Sequence, residues 1–146
     1  MVSLLFVAQS EVLVLGNPIG PNIPINHIYI RSNGTIEPAN APIAVNGDTY
    51  ALTGNITNAT LTIERDNVVL DGAGYSITGN STQYHDGITV LDRTNVTIKS
   101  IKIFQFAVGI QLLQTSNSTI SANVMATLQA ISMFSSDDNI IIGNVA

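Results

Sequence analysis

One tetrad design recurs along the chain at a nearly constant interval: Asn67-Val-Val-Leu70, Asn95-Val-Thr-Ile98, Asn117-Ser-Thr-Ile120 and Asn139-Ile-Ile-Ile142, with asparagine spacings of 28, 22 and 22. A second series lies between them at spacings of 22 and 21: Gly87-Ile-Thr-Val-Leu91, Gly109-Ile-Gln-Leu-Leu113 and Ala130-Ile-Ser-Met-Phe134. A weaker third series is Tyr75-Ser-Ile77, Ile101-Lys-Ile103 and Asn123-Val-Met125. Independent markers that share a period near 22 residues mean that each repeat is one structural unit stacked on the next.

Each repeat holds about three strand-length pieces bounded by Gly, Asn, Ser or Asp. Three strands of three to five residues and three bends fill ~22 residues at about 3.3 Å per strand residue. The chain is rich in Ile, Val and Thr, which are stiff at the first side-chain torsion and suit strands, and in Asn, which suits sharp bends. Strong helix formers at helical spacing are scarce after residue 20. The expected fold is all-β: a right-handed parallel β-helix with an N-terminal cap, truncated at its C-terminal end. A leucine-rich solenoid would need a Leu ladder that is absent.

Alternation along the strands assigns inward positions to Val68, Leu70, Val96, Ile98, Ile120, Ile140 and Ile142 on one series. Ile88, Val90, Ile110, Leu112, Ile131 and Met133 point inward on the other, while Thr89, Gln111 and Ser132 point outward. Asn67, Asn95, Asn117 and Asn139 then form a structural ladder at one repeated bend, with amides bonded from coil to coil. The surplus in the first interval belongs to a protruding loop at residues 80–85.

Residues 27–146 read as the β-helix domain, with 27–63 as cap and first coil and 64–146 as the repeats. His27-Ile-Tyr-Ile30, Tyr50-Ala-Leu-Thr53 and Ala59-Thr-Leu-Thr-Ile63 are further strands, and Asn33-Gly34 is a turn. Residues 1–26 read either as the remnant of a secretory signal, from the apolar run at 2–8, or as an extended N-terminal linker or leading strand. Neither apolar run there approaches the ~20 residues of a membrane span. The chain stops in mid-coil at Asn144-Val-Ala146, so the expectation is a longer protein; end-to-end self-association through the uncapped coil is the alternative.

Composition narrows the function classes. There is no Cys, which removes disulfides, thiolate metal sites and Cys nucleophiles. Five Lys+Arg against ten Asp+Glu give a net charge of −5, which disfavours nucleic acid and anionic membranes as partners. No phosphate loop, nucleophile elbow or dinucleotide fingerprint occurs.

Several runs carry a resemblance: Ile28-Tyr-Ile-Arg31, Asn33-Gly-Thr-Ile-Glu-Pro38, Gly47-Asp-Thr-Tyr50 and Ile63-Glu-Arg-Asp-Asn-Val-Val-Leu-Asp-Gly-Ala-Gly-Tyr-Ser-Ile77. They resemble the opening of archaeal cell-surface proteins grouped with the NosD-type right-handed β-helix repeat domains, whose relatives include periplasmic copper-binding NosD and carbohydrate-active β-helices. Gly109-Ile-Gln-Leu112 followed by Asn117-Ser-Thr-Ile120 matches the family's coil unit; Ala130 and Met133 depart from it. The resemblance covers residues 27–146 and implies a secreted, extracellular or cell-envelope protein. Calcium or copper enters only by this family analogy.

No catalytic constellation stands out. Asp86, Asp92 and Arg93, with His85 nearby, are the candidate ligand-contacting patch, set against a turn role for Asp66, Asp71, Asp86 and Asp92 alike. His27 and His85 are isolated, and Met125 and Met133 fit core packing, so no metal site is assigned. Lys99 and Lys102 keep a strand surface solvated. Six N-x-[ST] motifs begin at Asn33, Asn55, Asn58, Asn80, Asn95 and Asn117; Asn33, Asn58 and Asn80 are the glycosylation candidates. The expected function is a non-catalytic structural, adhesive or glycan-contacting module with carbohydrate or other cell-surface partners. The alternatives are the front part of a polysaccharide lyase or glycoside hydrolase, and a NosD-like accessory protein for copper-site maturation.

Overall fold

The β-branched pieces form strands at three places in each repeat. The structure, a computed structural model, describes residues 25–80 and 85–146, and every regular element among them is a β-strand. The first sheet runs β2 (Ile36–Glu37), β1 (Asn26–Ile30), β6 (Ala59–Ile63), β9 (Asp86–Leu91), β12 (Val108–Leu113) and β15 (Gln129–Phe134). The second runs β3 (Ile43–Asn46), β4 (Thr49–Leu52), β7 (Val69–Asp71), β10 (Thr97–Lys99), β13 (Thr119–Ser121) and β16 (Ile140–Ile142). The third contains β5 (Ile56–Thr57), β8 (Ser76–Thr78), β11 (Lys102–Phe104) and β14 (Val124–Ala126). From β4 onward, consecutive strands therefore belong to different sheets and pair in parallel with their counterparts one lap later. The result is a parallel β-solenoid of about 4 turns.

The core is a set of stacked columns. Ile28, Leu61, Ile88, Ile110 and Ile131 lie over one another in the first sheet, Tyr50, Leu70, Ile98, Ile120 and Ile141 in the second, and Ile56, Ile77, Ile103 and Met125 in the third. All are buried except the members in the last coil of the first two columns, Ile131 and Ile141. Each fully buried aliphatic side chain contributes about 1.5–3 kcal/mol relative to exposure. Phe106 fills the corner beside β9, where a Cβ on Gly87 would stand 2.8 Å from the Gly109 carbonyl oxygen and 2.8 Å from Ile103.

Two antiparallel strands finish the edges at the amino-terminal end. β2 pairs with β1, and β3 pairs with β4. Arg31 ties this region together: it bonds Glu37 at 2.7 Å and Glu64 at 3.0 Å, and its guanidinium lies 3.9 Å from the centre of the Tyr29 ring. Arg65 donates to the buried Tyr50 hydroxyl at 2.9 Å and pairs with Asp48 at 2.6 Å; the hydroxyl in turn donates to the Gly34 carbonyl.

Register corrects three expectations. Ile141, not Ile140 or Ile142, stacks on Ile120, so the last interval is 21 residues. Ile140, Ile141 and Ile142 are 58%, 40% and 60% exposed, because no further described coil covers them. Met133 does stand over Leu112, yet it is exposed for the same reason, whereas Met125 is buried on Ile103. The surplus of the first interval is also divided. Ile77 to Ile88 takes eleven steps where Ile103 to Ile110 takes seven, which puts four extra residues between β8 and β9. Leu70 to Ile77 takes seven steps where Ile98 to Ile103 takes five, which puts two in the bend at Gly72–Tyr75. Residues 81–84 of the loop expected at 80–85, and residues 1–24 of the expected signal remnant or linker, lie outside the described residues.

Candidate functional site

The bends are built from residues in the left-handed backbone region. Asn67, Asn95, Asn117 and Asp138 have φ of 55°, 56°, 52° and 54° and occupy one corner. Asn95 Nδ2 donates to Asn67 Oδ1 at 2.9 Å. Asp138 thus takes the place that the repeat pattern assigned to Asn139. Asn139 is one step further along, level with Ser118, where Oδ1 accepts the Ser118 N–H and Nδ2 donates to the Thr115 carbonyl. A comparable amide contact joins Asn80 Nδ2 to Asn58 Oδ1 at 3.1 Å.

A second set of polar residues turns inward, unforeseen from the sequence. Asn123 is fully buried: its Oδ1 accepts the Ile101 N–H at 3.1 Å and its Nδ2 donates to the Ile98 carbonyl at 3.1 Å. Asn144 repeats the arrangement one coil later against Asn123 and Ile120. Ser118 accepts the Val96 N–H, and buried Thr115 donates to the Val90 carbonyl. The available sign was small polar residues at positions aligned with apolar ones, Ser118 with Val96 and Asn123 with Ile101. Among the described residues no buried side-chain nitrogen or oxygen lacks a partner.

The candidate ligand patch divides. Asp92 and Arg93 share the corner after β9, whereas Asp86 begins that strand, six residues and about 20 Å away. Burial pushes the Asp86 carboxyl up from its ordinary value of 3.8, and the adjacent His85 opposes that shift. Asp92 stands in the left-handed region with its side chain 78% exposed. Arg93 Nε donates to the Leu91 carbonyl at 3.0 Å; Nη1 and Nη2 lie 3.8 Å from Asp66 and Asp92. At that length they are ion pairs and not hydrogen bonds. Lys99 pairs with Asp71 at 3.2 Å on the outer face of the second sheet.

Asp92 and Arg93 line a shallow groove of about 380 Å³ with Ser32, Thr62, Ile63, Glu64 and Leu91. Ser32, Thr62 and Glu64 come from earlier coils, brought there by the parallel register of β1, β6 and β9. The groove opens onto the outer face of the first sheet. There Tyr29, Thr62, Thr89, Gln111 and Ser132 form one column in register, and Leu91, Leu113 and Phe134 form an adjoining apolar column. At ~4.8 Å per strand the polar column extends about 19 Å. His27 is engaged by Thr60 through a 2.9 Å hydrogen bond, and among the described residues no three of His, Asp and Glu converge as a metal-holding group.

Comparison with known proteins finds no matching family model, no matching curated protein and no matching solved structure.

Proposed function

We propose that this chain is a non-catalytic, glycan-contacting module of the cell exterior or envelope, and that its ligand is a neutral saccharide lying along the outer face of the first sheet. The observation that carries this reading is the pairing of two columns. Hydroxyl and amide groups of Tyr29, Thr62, Thr89, Gln111 and Ser132 run beside the apolar Leu91, Leu113 and Phe134. A sugar ring presents hydroxyls at its rim and C–H groups on its faces, and such a surface matches both. The groove adds Glu64 and Asp92 as acceptors and Arg93 as a donor for ring hydroxyls. The net charge of −5 favours a neutral chain over a polyuronide.

The NosD-type resemblance adds the envelope location to this reading; it rests on the runs at 28–31, 33–38, 47–50 and 63–77 and on the coil unit at 109–112 and 117–120. The copper-maturation role of that family draws no support from side-chain placement, since His27 is bonded to Thr60 and Met125 is sealed in the core.

The test is binding of the purified chain to an array of neutral and acidic polysaccharides, followed by calorimetry on the best ligand. Leu91→Asp and Gln111→Ala should each weaken binding at least tenfold without lowering the melting temperature. Binding that ignores both substitutions, or no binding to any saccharide, overturns the proposal. Cleavage of a polyuronide by the chain would replace it with the lyase or hydrolase reading.

A further inference from the structure

Five of the six N-x-[ST] motifs lie wholly within the described residues, and their middle residues separate them. Ile56, Ala59, Val96 and Ser118, the middle residues after Asn55, Asn58, Asn95 and Asn117, are 4%, 3%, 0% and 1% exposed. Each of these motifs is stitched into the solenoid, and drawing it into an enzyme cleft would pull a core residue out. Thr60 of the Asn58 motif is itself buried against His27, and the Nδ2 of Asn95 is spent on Asn67.

Asn33-Gly34-Thr35 differs. It lies in the connection between β1 and β2, its middle residue is a glycine with no side chain in the core, and both Asn33 and Thr35 are exposed. Asn33 Oδ1 accepts the Thr35 N–H at 3.0 Å and the Thr35 hydroxyl at 2.8 Å. Among the described residues Nδ2 has no hydrogen-bond partner. The turn is held from below by the Gly34 N–H on the Arg31 carbonyl and by the Tyr50 hydroxyl on the Gly34 carbonyl. The acceptor amide is therefore presented on a braced, solvent-facing turn beside Ser32 at the groove rim.

We propose that Asn33 is a glycan acceptor in the folded protein. The donor is a glycan carried on a polyprenyl diphosphate. A bond forms between Asn33 Nδ2 and the anomeric carbon of the sugar, while the bond from that carbon to the diphosphate oxygen breaks. The carrier departs with the electron pair, and the amide nitrogen gives up one proton. The inference is independent of the saccharide-binding reading, since acceptance needs only the turn.

The test uses the folded, unmodified chain with a single-subunit oligosaccharyltransferase and a polyprenyl-diphosphate-linked oligosaccharide. Peptide mapping reads occupancy at each motif, and a urea-unfolded sample runs in parallel. The expected result is occupancy at Asn33 at least tenfold above Asn55, Asn95 and Asn117 in the folded chain, with the difference lost on unfolding. Asn33→Gln and Thr35→Ala should abolish the modification and Thr35→Ser should retain it. Equal occupancy of Asn117 or Asn95 in the folded chain overturns the proposal. So does an Asn33 that stays unmodified in the folded sample, whatever happens in the unfolded one.

Discussion

Asn123 occupies the same corner as Ile101 one coil later, and it spends its amide on the backbone beneath it: Oδ1 accepts the Ile101 N–H and Nδ2 donates to the Ile98 carbonyl. A bend between stacked coils leaves a backbone donor and an acceptor that no strand can reach, and an unpaired buried group costs about 1–3 kcal/mol. Asn123→Ala should therefore lower unfolding stability by about 3 kcal/mol. Asn123→Leu, apolar and close in size, should not recover that loss, because what is missing is the hydrogen bonds. Urea melts of the two variants check this; full recovery by Leu would show that Asn123 acts only by filling space.

The strand alternation makes a sharper claim. Ile110 is fully buried between Ile88 and Ile131, and its neighbour Gln111 stands on the outer face between Thr89 and Ser132. Ile110→Asp places an unpaired carboxylate in the column and should cost more than about 4 kcal/mol. Gln111→Asp should stay within about 0.5 kcal/mol of the parent. Thermal unfolding of both variants settles the register: similar losses would mean the two side chains share one environment.

Legibility followed the same division. Ile88, Ile110 and Ile131 were readable as one column because alternation is local and the repeat restates it each lap. The Asp138–Asn139 choice was not, since either residue suits a left-handed bend and residue type alone cannot position the stack. The clue lay in the other series, whose Gly109 to Ala130 interval is already 21 and requires the same shortening. At the groove, Asp92 and Arg93 were legible as a charged corner. Ser32, Thr62 and Glu64 were not, because they reach it only through pairing with strands earlier in the chain. The antiparallel β2 and β3 left no periodic trace at all; they are held by particular contacts of Arg31 and Arg65.

Those contacts predict how the amino-terminal end is held. The Tyr50 hydroxyl accepts from Arg65 and donates to Gly34 from a fully buried ring. Tyr50→Phe keeps the ring in its column and removes both bonds, which should cost about 1–2 kcal/mol. Arg65→Lys cannot supply the same fork to Tyr50 and Asp48 and should lose part of that amount. Hydrogen exchange is the discriminating measurement: the Gly34 and Thr35 amides should exchange faster in Tyr50→Phe, while the Ile110 and Ile120 amides remain protected. Uniform acceleration through the solenoid would show that this end is not a separate unit of stability.

Asp86 supplies the pH dependence. Burial raises its folded pKa above the unfolded value of 3.8, with His85 partly opposing the rise. In the window between those two values the folded state holds more proton than the unfolded state, so this group makes stability fall as pH climbs through it. Below 3.8 the group is neutral in both states and its penalty is absent; above the folded value the penalty is complete. The side chain is only partly buried, so solvent screens the effect and keeps it small. Asp86→Ala should thus gain slightly on the parent at pH 7 and lose that gain as the pH drops toward 3.8. Carbon-detected titration of the Asp86 carboxyl gives the direct check. A midpoint at or below 3.8 would remove the desolvation account, and a relative gain for Asp86→Ala that grows on acidification would reverse its sign.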